Sequence, residues 1–442
     1  MTKRMLFLAT VALCLTASVR AGGLMTNTNY HIAFDRMMAR GATFDIDAAY
    51  SNPAGLAWGH EGFQLSLNFQ KPWQFRNIEV ANTKYEGKAS APIVPALFAS
   101  YKHNRWAIST MIGIVGSGGY VEYKNGVPMY NMLLTGLLAN NGITPGQYKL
   151  DSEMKGKQYI YGGQVNFTYR LSNRFAAAVG LRANYYDGYY RGHVRAQDHP
   201  QLGELAKLLL DVDQKGWGFT PIVSVNYHGG PLTITARYEF RTKLNPKNST
   251  NVLDAGLGVN LINAMIAKDP AAAQAKLTAL KTQLEGYTAP YQDGAHTRYD
   301  MPALLSVAVG YDFSKKVRAT LEYHFFDDKN AKMSGDRQKE LTHGTHEILA
   351  GVEYDINDKF TVSCGAQRTD YGLSDGYQQN TSFACDSYSI GLGGAWNITK
   401  KLRLNAGYFI SLYSDYKKQT SYGTETYSRT NNVVGVGFDY RF

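Results

Sequence analysis

From Val434 to Phe442 the side chains alternate without a break. Val434, Val436, Phe438, Tyr440 and Phe442 are apolar, and Gly435, Gly437, Asp439 and Arg441 stand between them. A period of two describes a strand whose faces meet different surroundings. An aromatic on the apolar face at the very end suits lipid outside and a polar lumen inside, the arrangement of a transmembrane barrel strand. A helical bundle cannot carry this pattern, and a soluble sheet has little use for an exposed terminal Phe.

The same alternation recurs along the chain. Phe63, Leu65, Leu67 and Phe69 form one run; Trp106, Ile108, Ile112 and Ile114 another. Tyr159–Tyr169 leads through Ser172-Asn173 to Phe175–Ala183, and Trp217–Tyr227 leads through Gly229-Gly230 to Leu232–Phe240. Later turns fall at Ser314-Lys315, Asn357-Asp358 and Thr399-Lys400. The count is roughly fourteen strands of about ten residues, the length a tilted membrane strand needs. One set of connections is short and rich in Asn, Asp, Gly, Ser and Lys. The other is long: about 71–93, 116–157, 189–215, 241–300, 328–344, 371–386 and 414–431. Short periplasmic turns and long outer loops are the expected asymmetry, and an even count places both barrel ends in the periplasm.

The N-terminus predicts export. Lys3 and Arg4 precede an apolar run from Met5 to about Ala17, and Val19-Arg20-Ala21 is a small-x-small cleavage site. Residues 1–21 therefore read as a signal peptide; the run is short for an uncleaved anchor helix, and Leu13 before Cys14 argues against a lipoprotein. No later stretch is apolar enough for a membrane helix. A 13% aromatic content with 44 Gly and 32 Tyr favours a barrel over a soluble exported protein, because Tyr suits the membrane boundary. The formal charge of +10 does not mean nucleic acid in an exported chain. It points to a basic lumen and to loops facing anionic lipopolysaccharide or anionic solutes. Cys364 and Cys385 can form a disulfide only if the connecting loop folds back.

Residues 22–60 precede the first strand. Ile32, Phe34, Met37, Met38, Phe44 and Ile46 are too frequent for a disordered tail, so this segment is expected to plug the lumen. Three outer stretches carry helix-like apolar spacing: Met129–Leu138, Leu202–Leu210, and Val259–Ile266 continued by Ala271–Leu284. They form either loop cover or an apolar landing site. Residues 61–442 are the barrel with its loops.

Gly41-Ala42-Thr43, Asp45 and Asp47 through Ala57, centred on Asn52-Pro53-Ala54, resemble the N-terminal hatch of the long-chain fatty acid and aromatic-hydrocarbon transporters of bacterial outer membranes. Arg105-Trp106-Ala107 running into Gly113, Gly116, Gly118 and Gly119, and Met301-Pro302-Ala303 leading to Tyr311, are similar to the family's third strand and to the strand after its long helical loop. The resemblance covers nearly the whole mature chain. It implies a monomeric fourteen-stranded all-β barrel plugged by a hatch, without cofactor. Hydrophobic cargo is caught by outer loops, handed to a lumenal pocket, and released sideways at a kinked third strand. Gly113 and Gly116 suit such a kink, and suit an ordinary strand end as well. By the same resemblance the mature N-terminus, Gly22-Gly23-Leu24, lies near the pocket; Leu24 and the plug residue Phe34 are candidate ligand contacts. The helical insertion within 116–157 departs from the family's pattern and puts the entry route in question.

Strand parity directs Arg170, Arg182, Asn184, Arg237, Glu239, Arg318, Glu322, His324, Glu347, Glu353, Arg403, Asp439 and Arg441 into the lumen. Arg182 and Arg237 are the first candidates to bind a cargo carboxylate; the alternative is that they brace the barrel against Glu239, Glu322 and Glu353. Gly372-Leu373-Ser374-Asp375-Gly376 fits G-x-S-x-G but lies in an outer loop, where the motif lacks its strand–turn–helix. No metal site is expected from the spacing of His343, His346 and Glu347. The reading is a non-enzymatic channel for hydrophobic compounds, with a plugged solute porin or a loop-borne surface-binding protein as alternatives. Its partners are hydrophobic small molecules, lipopolysaccharide, and the assembly machinery that reads the last strand.

Overall fold

The computed structural model describes residues 30–442 apart from Pro92. Its seventeen strand segments form one antiparallel sheet that closes on itself, and three of the segments are outward continuations of others, leaving fourteen strands in the wall. These are β1 (Gly62–Val80), β2 (Thr83–Ser90, then Val94–His103), β3 (Trp106–Tyr123), β4 (Lys149–Arg170) and β5 (Phe175–Gln197). Next come β6 (Ala206–Gly229), β7 (Leu232–Glu239, prolonged by Lys247–Leu257), β8 (Leu304–Asp312), β9 (Val317–Phe326) and β10 (Thr345–Asp355). The circuit ends with β11 (Phe360–Asp370), β12 (Ser387–Asn397), β13 (Leu402–Tyr413, then Tyr416–Thr420) and β14 (Gly423–Arg441). β14 pairs with β1 from Gln64↔Arg441 upward, so the seam is covered along its length.

The fold class read from the alternation is the one observed, and the predicted lumen face holds. Arg182, Asn184, Arg237, Glu239, Glu322, His324, Glu347 and Glu353 are all buried, while Val165, Val179, Leu181, Phe219 and Ile348 are exposed. Aromatics bound the exposed belt at both edges. Phe63 and Phe442 lie 5.0 Å apart at the short-turn end, and Tyr185 and Trp217 4.7 Å apart at the other.

Three expectations about the outer side need correction. The stretches 71–93, 189–215 and 414–431 are largely strand, since β1–β2, β5–β6 and β13–β14 continue as hairpins beyond the membrane. Several strands are therefore much longer than about ten residues; β6 has 24. Leu202–Leu210 is not helical: Ala206 onward belongs to β6, where Leu208 and Leu210 pair with Val194 and Gly192 of β5. Their apolar spacing serves a sheet face. The other two predicted helical stretches do form helices, as given below.

The hatch threads the lumen. It contains α1 (Ile32–Arg36), α2 (Ala48–Ser51) and a 3-10 turn over Pro53–Trp58. Outside stand α3 (Pro128–Ala139), α4 (Val259–Lys268) and α5 (Pro270–Thr288). Pro sits in the first turn of α3 and of α5, where its missing N–H costs nothing.

Candidate functional site

The hatch rests on a bed of glycines. On the lumen faces of β10–β14, Gly351, Gly365, Gly391, Gly407 and Gly435 leave room for α1 and the residues after it. A Cβ at Gly391 would lie 2.5 Å from the Asp35 carbonyl oxygen, one at Gly407 2.8 Å from the Asp35 Cβ, and one at Gly365 2.6 Å from the Met38 nitrogen. Backbone can approach backbone this closely only where the side chain is absent. Phe34 stands edge-on to Phe409, 6.3 Å between centroids, in a small apolar cluster with Met38, Leu349 and Val433.

Charge holds the same contact. Arg36 pairs with Glu353 and donates to Ser363 at 2.8 Å; Arg40 reaches Asp47 at 2.8 Å and Glu353 at 3.3 Å. Arg318 Nε meets Glu353 at 2.9 Å, so one carboxylate serves two hatch arginines and one wall arginine. Gly41 N donates to Glu322 at 2.8 Å. Among the described residues Asp35 makes no ion pair; it accepts from Gln70 at 2.6 Å, and burial holds its carboxyl well above the usual range.

The hatch motif grips the opposite wall. Asn52 Nδ2 donates to Asn226 Oδ1 at 2.8 Å, and Ala54 N to Ser224 Oγ at 2.9 Å. Thr168 donates to the Pro53 carbonyl at 2.8 Å, while Gln164 and Asn166 share the Ala49 carbonyl. Arg182 and Arg237 lie beneath this segment. Both pair with Glu239, both stack on the Tyr50 ring at 5.4 and 5.5 Å, and Arg237 donates to the Tyr50 carbonyl. With the hatch seated, both arginines brace it. Leu24 and the signal segment 1–21 lie outside the described residues.

Among the described residues, pairing between β2 and β3 runs from His103↔Trp106 to Leu97↔Ile112, stops, and resumes at Ala89↔Val121. On its other side β3 stays paired with β4, through register shifts at Ile114/Gly116 and Ser117/Gly119. One bulge would turn every later side chain to the wrong face; two restore the parity, and Val121 and Tyr123 again point inward. Gly113 and Gly116 thus flank the first bulge. Val115, its extra residue, is buried with Ile46 and Tyr50 of the hatch, Phe98, Met111 and Ile160.

Above the hatch, a second apolar cluster gathers Val127, Leu134 and Leu138 of α3 or beside it with Ile78, Tyr190, Leu210, Phe383 and Tyr427. Beside it is a small pocket lined by Tyr130, Met154, Val194, Leu208, Leu210, Leu253 and Tyr291, with Glu153 and His193 among its walls. Two further lumenal arginines, Arg76 and Arg429, stand on the outer parts of β1 and β14, where the sequence pattern alone suggests loop. Parity continued from Gln70 through Ile78 would have found the first. Cys364 and Cys385 are unbridged, the first exposed and the second buried. Ser374 of the G-x-S-x-G run donates to the Glu340 carbonyl.

Residues 261–442 match the family model described as outer membrane protein beta-barrel domain. No curated protein matches the sequence. Among solved structures, a FadL homologue of Pseudomonas aeruginosa is similar at 13% identity, with a TM-score of 0.65 over 95% of this chain and 99% of that one. The Pseudomonas putida toluene transporter TodX is similar at 11% identity and a TM-score of 0.59, covering 95% and 100% of the two chains. The Ralstonia pickettii toluene transporter TbuX is similar at 15% identity and a TM-score of 0.54, covering 90% and 94%. This chain has the FadL–TodX fold. With its exposed apolar belt and its match to the barrel model, it is a multi-pass protein of the outer membrane.

Proposed function

We propose that the chain is an outer-membrane channel for hydrophobic compounds, with long-chain fatty acids the favoured cargo and lateral release into the bilayer. The observation that carries this reading is the unpaired stretch between β2 and β3, placed beside the apolar cluster shared by hatch and wall. A polar solute gains nothing from an exit into lipid, whereas an acyl chain gains about 0.8 kcal/mol per buried CH₂ on an apolar route and loses none of it on leaving. Cargo lands in the pocket of the outer loops, moves through the vestibule, displaces the hatch and leaves past Val115. Arg182 and Arg237 meet it only once Tyr50 has lifted. The barrel works as a monomer, and lipopolysaccharide surrounds its loops.

The test is to close the wall. A Cβ at Gly113 would lie 3.4 Å from the Ala96 Cβ, near disulfide range. Ala96→Cys with Gly113→Cys, in a background of Cys364→Ser and Cys385→Ser, is expected to abolish fatty-acid uptake when oxidised and regain it with reductant. Unchanged uptake by the crosslinked barrel rules out lateral release. Liposome swelling separates the porin reading: free passage of sugars would defeat the hydrophobic channel.

A further inference from the structure

Arg76 on β1 and Arg429 on β14 stand directly opposite one another across the seam of the barrel. Both follow the inward parity of their strands; Arg76 is buried and Arg429 half-buried. Like charges opposite each other in a ladder repel, and a buried charge ordinarily takes a counter-charge. Among the described residues neither arginine has one. Arg76 Nη2 donates to the Phe383 carbonyl at 2.8 Å and its guanidinium lies 4.9 Å from the Phe383 ring; that of Arg429 lies 4.8 Å from Tyr413. Arg429 Nε is buried without a hydrogen-bond partner, and so is Asn431 Oδ1, next inward on the same strand face.

The titratable groups around the pair include Tyr123, Tyr299, Tyr371, Tyr377, Tyr413 and Cys385. Phenols are neutral at physiological pH, and burial pushes the Cys385 thiol up to about 11. Among the described residues no carboxylate pairs with either guanidinium; Asp328, the buried acid that shares the Tyr371 and Tyr377 surroundings, bonds to Thr345 instead. Apolar surface adjoins them: Ile78, Phe383 and Tyr427 belong to the outer cluster, Tyr371 and Tyr377 to the cluster that reaches the hatch.

We propose that Arg76 and Arg429 form a binding site for the carboxylate of an amphiphilic cargo. Two planar forks facing one another can hold both oxygens of a carboxylate, and the adjoining clusters can take an apolar tail. This assignment rests on the hydrophobic-channel reading and narrows it: the cargo is an anionic amphiphile and not a neutral hydrocarbon. The site is separate from Arg182 and Arg237, which already share Glu239.

The test compares palmitate with methyl palmitate on the full-length barrel purified in a neutral detergent. The wild type is expected to bind the acid more tightly than the ester. Arg76→Gln with Arg429→Gln should weaken acid binding by roughly tenfold or more and leave the ester unchanged. Arg76→Lys with Arg429→Lys, which keeps the charge, should retain much of the preference, and heat-modifiable mobility on gels checks that each variant is a folded barrel. Equal binding of acid and ester by the wild type, or a preference that survives the Gln pair, overturns the assignment while leaving the channel reading intact. Displacement of palmitate by inorganic phosphate also overturns it, because the pair is then a general anion site. Failure of both acid and ester to bind overturns the channel reading and the carboxylate site together.

Discussion

Two pairs of arginines point into one barrel and meet opposite surroundings. Arg182 and Arg237 share Glu239, stack on Tyr50 and are closed off by the hatch. Arg76 and Arg429, higher in the lumen, have no carboxylate partner among the described residues and sit among phenols and apolar side chains. The lower region is built for closeness: glycines under α1, one carboxylate serving three arginines, backbone carbonyls of the hatch motif tied to β4 and β6. The upper region leaves charge uncompensated. A lumenal arginine is thus a structural brace where the chain supplies its acid, and a candidate ligand site where it does not.

The sharpest way to break this contrast is to remove the acid from the lower pair. Glu239→Gln leaves two buried guanidiniums without their shared partner, and breaking a buried pair costs about 3–5 kcal/mol. The hatch should loosen, seen as faster proteolysis within residues 30–60 and as larger single-channel conductance. A hatch as tight as the wild type's would mean that Tyr50 and the Asn52-Pro53-Ala54 contacts hold it alone. Next in size is the glycine bed. Gly407→Leu pushes a side chain into Asp35 and Arg36, an overpacking of about 1–3 kcal/mol. It should raise conductance without touching any charge, and normal conductance would show that α1 can shift at little cost.

What the sequence made legible follows from periodicity. Alternation alone assigns Glu353, Glu322 and Asp439 to the lumen face, and the segment around Asn52-Pro53-Ala54 resembles a hatch. It could not show that β1, β5 and β14 continue past the membrane, because there the outer face turns polar and the contrast between faces fades: Arg76 and Arg429 were hidden by that fading. Nor could it tell a glycine that bends a strand, such as Gly116, from one that admits a neighbouring backbone, such as Gly391. That distinction depends on what lies across the lumen. Leu202–Leu210 misled for a similar reason, since a short apolar run suits a helix or a buried strand equally.

A smaller change tests the upper pair from the other direction. Asn431→Asp would place a carboxylate next to Arg429 on the lumen face, giving the vestibule the partner it lacks. Binding of palmitate should weaken several-fold, less than when both arginines are lost, while conductance stays at the wild-type level because the hatch is untouched. If affinity does not change, the added acid and the cargo carboxylate do not compete.

The smallest expected effect concerns a vestibule group of the opposite sign. Asp328, in the outer loop after β9, is buried and accepts from Thr345 N at 2.9 Å, with no ion pair among the described residues. Burial pushes its carboxyl up to about 7. Its folded value lies above the unfolded one, so the folded loop binds the proton more tightly. Between about pH 4 and 7 the unfolded segment has lost the proton that the folded one keeps, and loop stability falls as pH rises across that window, levelling off above it. Hydrogen exchange of residues 328–345 should therefore be slower at pH 5 than at pH 8 after correction for the intrinsic rate, and Asp328→Asn should remove the difference. A pH-independent loop would place a cation near Asp328, and the vestibule would then balance its buried acid in the way the hatch balances Glu353.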